Sequence, residues 1–197
     1  MRKEILQGDA ERGRRLCGFD GASPIVLIVG GSSGSEKLNQ MAEAALPDLV
    51  SRFQVVHVTG RGKKLQPHRV SSGYKQFEFT NDLHHLLAMA DLVVSRAGAT
   101  AVAELLVAKK LNILVPLSCH ASRGEQIKNA DYCSKNGASC MIYEEHLSTG
   151  ELTHVISEVL ANRPQYSRAL ARLDAADGSG MIFALIAETA TASPNMV

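Results

Sequence analysis

Apolar residues along this chain fall into short continuous runs, separated by stretches with helical spacing. Ile25-Val26-Leu27-Ile28-Val29 is an unbroken, largely β-branched run, the pattern of a strand covered on both faces. A Gly/Ser loop follows, Gly30 to Gly34. Leu38, Met41, Ala42, Ala45 and Leu49 then recur near the helical period, with Pro47 as a point of interruption. Gln54 to Thr59 reads as a second strand, Tyr74 to Phe79 as a third, and Asp91 to Ser95 as a fourth. Leu111 to Val115, stopped by Pro116, is a fifth, and Ser139 to Tyr143 a sixth. Helices are predicted between them. A short one, capped by Asn81 or Asp82, runs through Leu86, Leu87 and Met89; others span Thr100 to Ala108 and residues 123 to 135. From Thr149 the pattern is helical, with Leu152, Val155, Ile156, Val159 and Leu160 on one face. Pro164 starts another helix, and Gly178-Ser179-Gly180 separates a last one ending near Glu188.

Strands alternating with helices of roughly 10 to 15 residues imply βαβ units and a parallel sheet. The expected fold is a single α/β, Rossmann-like, doubly wound sheet of about six strands with right-handed crossovers. Residues 1–24, where Gly8, Gly13, Gly18, Gly21 and Pro24 sit among scattered charges, read as a lead-in or interdomain linker. Residues 25–190 form the domain, and 191–197 a frayed tail. Ligands of such sheets bind at the carboxyl ends of the strands, near the topological switch point. That rule directs attention to the loops after strands one, four and five.

Composition narrows the class. Of 197 residues, 45% are apolar and 21% charged, and the net charge of +1 excludes a strongly basic nucleic-acid binder or an acidic disordered tail. Met1-Arg2-Lys3-Glu4 opens no signal peptide, so a cytoplasmic location is expected. Cys17, Cys119, Cys133 and Cys140 contain no C-x-x-C pair, which argues against a zinc ribbon or thioredoxin motif. Cys133 and Cys140 read as core thiols. Cys119-His120 invites a nucleophile–base reading, but sequence neighbours rarely share the necessary geometry.

The loops carry the chemistry. Gly30-Gly31-Ser32-Ser33-Gly34-Ser35 lets backbone approach a ligand, adds hydroxyls, and opens a helix whose N-terminus favours an anion. It is neither G-x-G-x-x-G with an acidic residue about 20 positions on, nor a Walker A loop. A tight βα turn without ligand accounts for the same glycines. Ser95-Arg96-Ala97-Gly98-Ala99-Thr100 opens a helix in which Glu104 is the one charged residue. Glu104 either takes ribose hydroxyls beside a phosphate at the helix start or belongs to a solvent stripe. Gln126 and Asn129 share a helix face after Pro116-Leu117-Ser118-Cys119-His120. Their amides suit sugar hydroxyls, and equally suit capping. His84-His85 and Lys109-Lys110 read as solvated faces. Arg61, Lys63 and Lys64 form a small basic loop, which is a weak signal for phosphate or a membrane surface.

Together these loops resemble the C-terminal domain of the family 28 glycosyltransferases, in particular those that transfer GlcNAc from UDP-GlcNAc to a lipid-linked acceptor in peptidoglycan precursor synthesis. The matching text is Gly30 to Gln40, Phe79 to Leu83, Ala90 to Leu105, Pro116, and Gln126 to Ala130. Arg2-Lys3-Glu4-Ile5 resembles the segment entering this domain. The resemblance implies the C-terminal half of a GT-B fold, binding the UDP-sugar. It assigns Glu104 to the ribose, and Gly31, Ser32, Ser33 and Gly34 with Ala97, Gly98, Ala99 and Thr100 to the diphosphate. Phe79 and Thr80 would border the uracil, Gln126 and Asn129 the GlcNAc, and Arg2 would approach the donor. It implies no metal and no cofactor beyond the donor substrate, and no catalytic base in this chain, which alone would be inactive. An N-terminal acceptor-binding domain or subunit would bring the lipid-linked acceptor, with the enzyme cytoplasmic or peripheral at the cytoplasmic membrane face; nucleic acid is not expected as a partner. Other readings are a non-catalytic nucleotide-sugar-binding module, a subunit of a split GlcNAc transferase, or an unrelated nucleotide-dependent oxidoreductase. The lack of an acidic ribose ligand after strand two speaks against the last.

Overall fold

The structure, a computed structural model, describes residues 3–21, 23–31, 34–65, 73–118, 124–146 and 148–173. Six parallel strands form one sheet: β1 (Ile25–Val29), β2 (Gln54–Val58), β3 (Tyr74–Phe77), β4 (Leu92–Ser95), β5 (Asn112–Leu114) and β6 (Cys140–Met141). Their order is β3-β2-β1-β4-β5-β6. This is the doubly wound Rossmann order, with the switch point between β1 and β4. The expected fold class is the one observed.

The helices are α1 (Ala10–Cys17), α2 (Glu36–Arg52), α3 (Leu83–Met89), α4 (Ala99–Val107), α5 (Glu125–Lys135), α6 (Thr149–Ala161) and α7 (Arg163–Arg172). Because strand side chains alternate, β1 feeds two cores. Ile25 and Leu27 join Leu86 of α3, Leu105 of α4 and Cys133 of α5 on one face. Val26 and Ile28 join Leu38 and Leu49 of α2 and Leu152 and Ile156 of α6 on the other. That double burial is why β1 reads as an unbroken apolar run.

Several expectations are corrected. Helix α2 runs through Pro47 without ending. Leu46 and Leu49 beside it are buried against the sheet, and that packing offsets the lost backbone hydrogen bond. The outer strands are shorter than their apolar runs, since only residues that pair with a neighbour extend the sheet. Residues 3–21 are more than a lead-in. A 3-10 turn (Lys3–Gln7) and α1 pack on α3, burying Ile5, Cys17 and Phe19. Gly8 and Gly13 are contact glycines, where a Cβ would stand 2.2 Å from the His84 carbonyl oxygen and 2.5 Å from that of His85. Asp9 caps α1 by accepting from the Glu11 and Arg12 amides.

Of the His and Lys pairs, Lys109 is exposed as expected, whereas His85 and Lys110 are not solvated. His85 is buried, and its Nδ1 accepts from the Asp9 amide at 2.9 Å. Lys110 donates to the carbonyls of Ala88 and Ala90 at the end of α3, and Lys109 to those of Leu170 and Leu173 at the end of α7. Both therefore satisfy carbonyls that a helix end leaves open. Cys133 is fully buried, and burial pushes its thiol up to about 11. Cys140 is partly buried. The Cys119-His120 pair, the last helix near Glu188 and the tail lie outside the described residues. Among the described residues, no helix is long and apolar enough to cross a membrane.

Candidate functional site

A cavity of about 750 Å³ opens at the carboxyl ends of the strands, over the switch point between β1 and β4. Such a volume is that of a small-molecule site. One wall is the loop after β1. Gly34 has φ +69, and a Cβ there would stand 2.0 Å from the Thr59 carbonyl oxygen. Glycine thus lets the β1 and β2 loops close on each other. Ser35 then caps α2, its hydroxyl accepting from the Leu38 amide.

The facing wall is the start of α4. Its N-cap is Gly98, with φ −66 and ψ 142 and no side-chain cap. An ordinary residue could adopt that backbone, and an added Cβ would meet nothing within 4 Å. Neither conformation nor packing requires glycine here. What glycine leaves is open space beside the helix N-terminus, where the first-turn amides have no intrahelical acceptor. Ala99, Thr100 and Ala101 line the cavity at that point. Glu104 follows one turn on, 4% exposed and also lining the cavity. A solvent stripe is therefore excluded as the reason for its charge.

The third side is the loop after β3. Phe79 lines the rim at 46% exposure, with the Arg61 guanidinium 4.1 Å over its ring centroid. Glu78 fixes the Arg61 loop by accepting from the Gly62 amide at 2.9 Å, and Thr80 Oγ1 accepts from the Asp82 amide. On the last side, Gln126 lines the cavity, with its Oε1 taking the Leu117 amide at 3.2 Å. That bond fixes which end of the amide is engaged and leaves Nε2 as the donor end.

Gly31, Gly34, Phe79, Thr80, Gly98, Ala99, Thr100, Glu104 and Gln126 thus surround one cavity. Asn129 differs from its expectation. It is buried and donates from Nδ2 to the Ala97 carbonyl at 2.9 Å, behind the cavity wall. Ala97 is itself fully buried beneath the turn. Arg2, Ser32 and Ser33 lie outside the described residues. Sequence reasoning missed Arg96, Ser35 and Glu144, a buried cluster that also borders the cavity. The available signal was a cation directly after an apolar strand, where burial demands partners.

Residues 25–184 match the model of the glycosyltransferase family 28 C-terminal domain. The chain belongs to this family. Family 28 relatives extend the match toward the N-terminus. The chain is 42% identical over 191 residues to the UDP-N-acetylglucosamine--N-acetylmuramyl-(pentapeptide) pyrophosphoryl-undecaprenol N-acetylglucosamine transferase of Geobacillus kaustophilus, covering 96% of this chain and 54% of that protein. The protein of the same name from Lachnoclostridium phytofermentans is 43% identical over 189 residues, 95% of this chain and 53% of its own. The chain spans about half the length of these relatives. The fold is that of Acinetobacter baumannii MurG, with TM-score 0.64 and 24% identity over 84% of this chain and 48% of that one. A kitacinnamycin glycosyltransferase shares it as well, with TM-score 0.65 and 17% identity over 77% of this chain and 38% of that one. This family 28 domain is therefore the C-terminal half of a GT-B architecture.

Proposed function

We propose that this domain binds UDP-GlcNAc as the donor half of an inverting N-acetylglucosaminyltransferase acting on a lipid-linked acceptor. The observation that carries this reading is Glu104, a buried carboxylate on the cavity wall one turn beyond an uncapped helix N-terminus. The helix start offers amides and a positive dipole end to a diphosphate. The carboxylate offers two acceptor oxygens to the vicinal hydroxyls of a ribose. Phe79 provides an aromatic surface for the uracil, and Gln126 Nε2 a donor for a sugar hydroxyl. Ser32, Ser33 and Arg2 are further donor contacts by family resemblance, while Asn129 acts by holding Ala97.

In the reaction an acceptor hydroxyl attacks the anomeric carbon, the glycosidic bond to UDP breaks, and the departing diphosphate gains charge. The α4 dipole opposes that charge without reorganising. No divalent cation is needed for this stabilisation. The general base and acceptor site belong to another domain or subunit, which also brings the protein to the cytoplasmic face of a membrane.

Calorimetric titration with UDP, UDP-GlcNAc and NADH tests the donor site. The first two are expected to bind and NADH not. Glu104→Ala is expected to weaken UDP by roughly 10- to 100-fold, since charge-assisted hydrogen bonds are worth about 1.5–3 kcal/mol each. Absence of UDP binding by the wild type overturns the reading, and unchanged affinity in the variant overturns the ribose role.

A further inference from the structure

Arg96 follows β4 at the switch point and is 6% exposed. A guanidinium buried to that degree is costly unless its charge and its five N–H groups all find partners. Here they do. Nε donates to Ser35 Oγ at 3.0 Å, and Nη2 to Ser35 Oγ and to the Glu144 carboxylate. Nη1 donates to the carbonyls of Val115 at 3.1 Å and Pro116 at 3.4 Å. Glu144, the counter-charge, is itself buried.

Together the guanidinium nitrogens reach three other loops. Ser35 is the N-cap of α2. Val115 and Pro116 follow β5, and Glu144 lies beyond β6. Arg96 itself stands two residues before Gly98, the N-cap of α4. One planar group therefore sets the spacing between the N-termini of α2 and α4. The link extends further: the Leu117 amide, next along from the carbonyls Arg96 holds, engages Gln126 Oε1. The nucleobase wall is hung differently. Phe79 and Thr80 follow β3 and are secured by Arg61, Glu78 and Asp82.

We propose that Arg96 is a positioning residue for the donor's diphosphate and sugar, acting by locking the loops after β1, β4, β5 and β6 into one frame and leaving the base subsite untouched. Its N–H groups are fully engaged by protein, so it acts through the geometry of the two helix N-termini and of Gln126. The planar fork matters more than the charge, because lysine carries the charge without the fixed directions. This inference rests on the donor-site reading above.

UDP, UDP-GlcNAc and uridine are titrated against the wild type, Arg96→Lys, Arg96→Met and Glu144→Gln, with thermal melts as the check on folding. UDP and UDP-GlcNAc are expected to weaken by about tenfold or more in each folded variant, the loss that sub-ångström misplacement of binding groups brings. Uridine is expected to weaken clearly less than UDP, because its uracil wall hangs on a separate loop and only its ribose shares α4 with the diphosphate. Wild-type UDP affinity in folded Arg96→Lys overturns the proposal, as does a parallel loss of uridine and UDP. Should the Arg96 variants not fold, Glu144→Gln keeps the arginine and the same comparison decides. A wild type that binds no UDP overturns the donor-site reading and this proposal together. Wild-type binding with unaffected variants overturns this proposal alone.

Discussion

Gly98 separates folding from binding within one residue. Serine is as good an N-cap as glycine or better by a few tenths of a kcal/mol, and the space beside Gly98 is open. Gly98→Ser is therefore expected to leave the thermal midpoint unchanged or slightly raised. If the open space takes the diphosphate, the same change weakens UDP by about tenfold, or 1.4 kcal/mol. Unchanged affinity in calorimetry counts against that use of the space. His57 is a second informative residue. It is 1% exposed, with Nε2 3.0 Å from Asn39 Oδ1 and Nδ1 3.3 Å from the Tyr74 hydroxyl. Burial lowers its pKa from 6.5 to about 4. Between those values the unfolded chain binds a proton that the folded chain refuses. Stability is thus complete above about 6.5 and falls as pH drops toward 4, by on the order of 3 kcal/mol. Denaturant melts at pH 7.5 and 5 are expected to differ in the wild type and to differ less in His57→Gln. Identical pH dependence in both would assign the effect to other groups.

At the scale of elements, α1 and α6 respond oppositely to the same substitution. Alanine is intrinsically better than glycine in a helix by about 1 kcal/mol. Gly150 in α6 has no neighbour within 4 Å of an added Cβ, so Gly150→Ala is expected to raise the midpoint. Gly13→Ala is expected to lower it, because the Cβ would meet the His85 backbone at 2.5 Å and overpacking costs about 1–3 kcal/mol. A rise in both would show that α1 packs more loosely on α3 than drawn. The contrast also explains what was legible beforehand. β1 was readable because burial on both faces writes an apolar run directly into the chain. The loops after β1 and β4 were readable because Gly98 and Glu104 stand out locally. Helix α1 was not, since its charges and glycines look like a linker until α3 supplies the surface they fit. Pro47 misled for the same reason: the packing that overrides it comes from the sheet. Arg96 escaped because its partners, Ser35 and Glu144, are 61 and 48 residues away, and Asn129 because pointing inward or outward is decided by the turn at Ala97.

At the scale of the molecule, a ligand that binds only the folded state adds stability by mass action. UDP at 100 times its dissociation constant contributes about 2.7 kcal/mol. For a chain of this size that shifts the midpoint by roughly 5 to 10 °C. The shift is expected to persist in EDTA, because helix dipoles rather than a cation hold the diphosphate in the proposed site. Loss of the shift in EDTA would show that a metal takes part. The chain alone is expected to give no turnover on a lipid-linked acceptor, and measurable transfer would place the base within it.

The central position of β1 has a cost during synthesis. Its outward neighbour β4 lies far along the chain, as the 66-residue separation of Ile25 and Asp91 records. At about 5–20 residues per second, that neighbour emerges roughly 3 to 13 s after β1 does. Throughout that interval an uncharged, β-branched pentapeptide has one open edge, the composition that seeds cross-β stacking. The strand at the centre of the finished sheet thus waits for seconds on the ribosome with an edge unpaired.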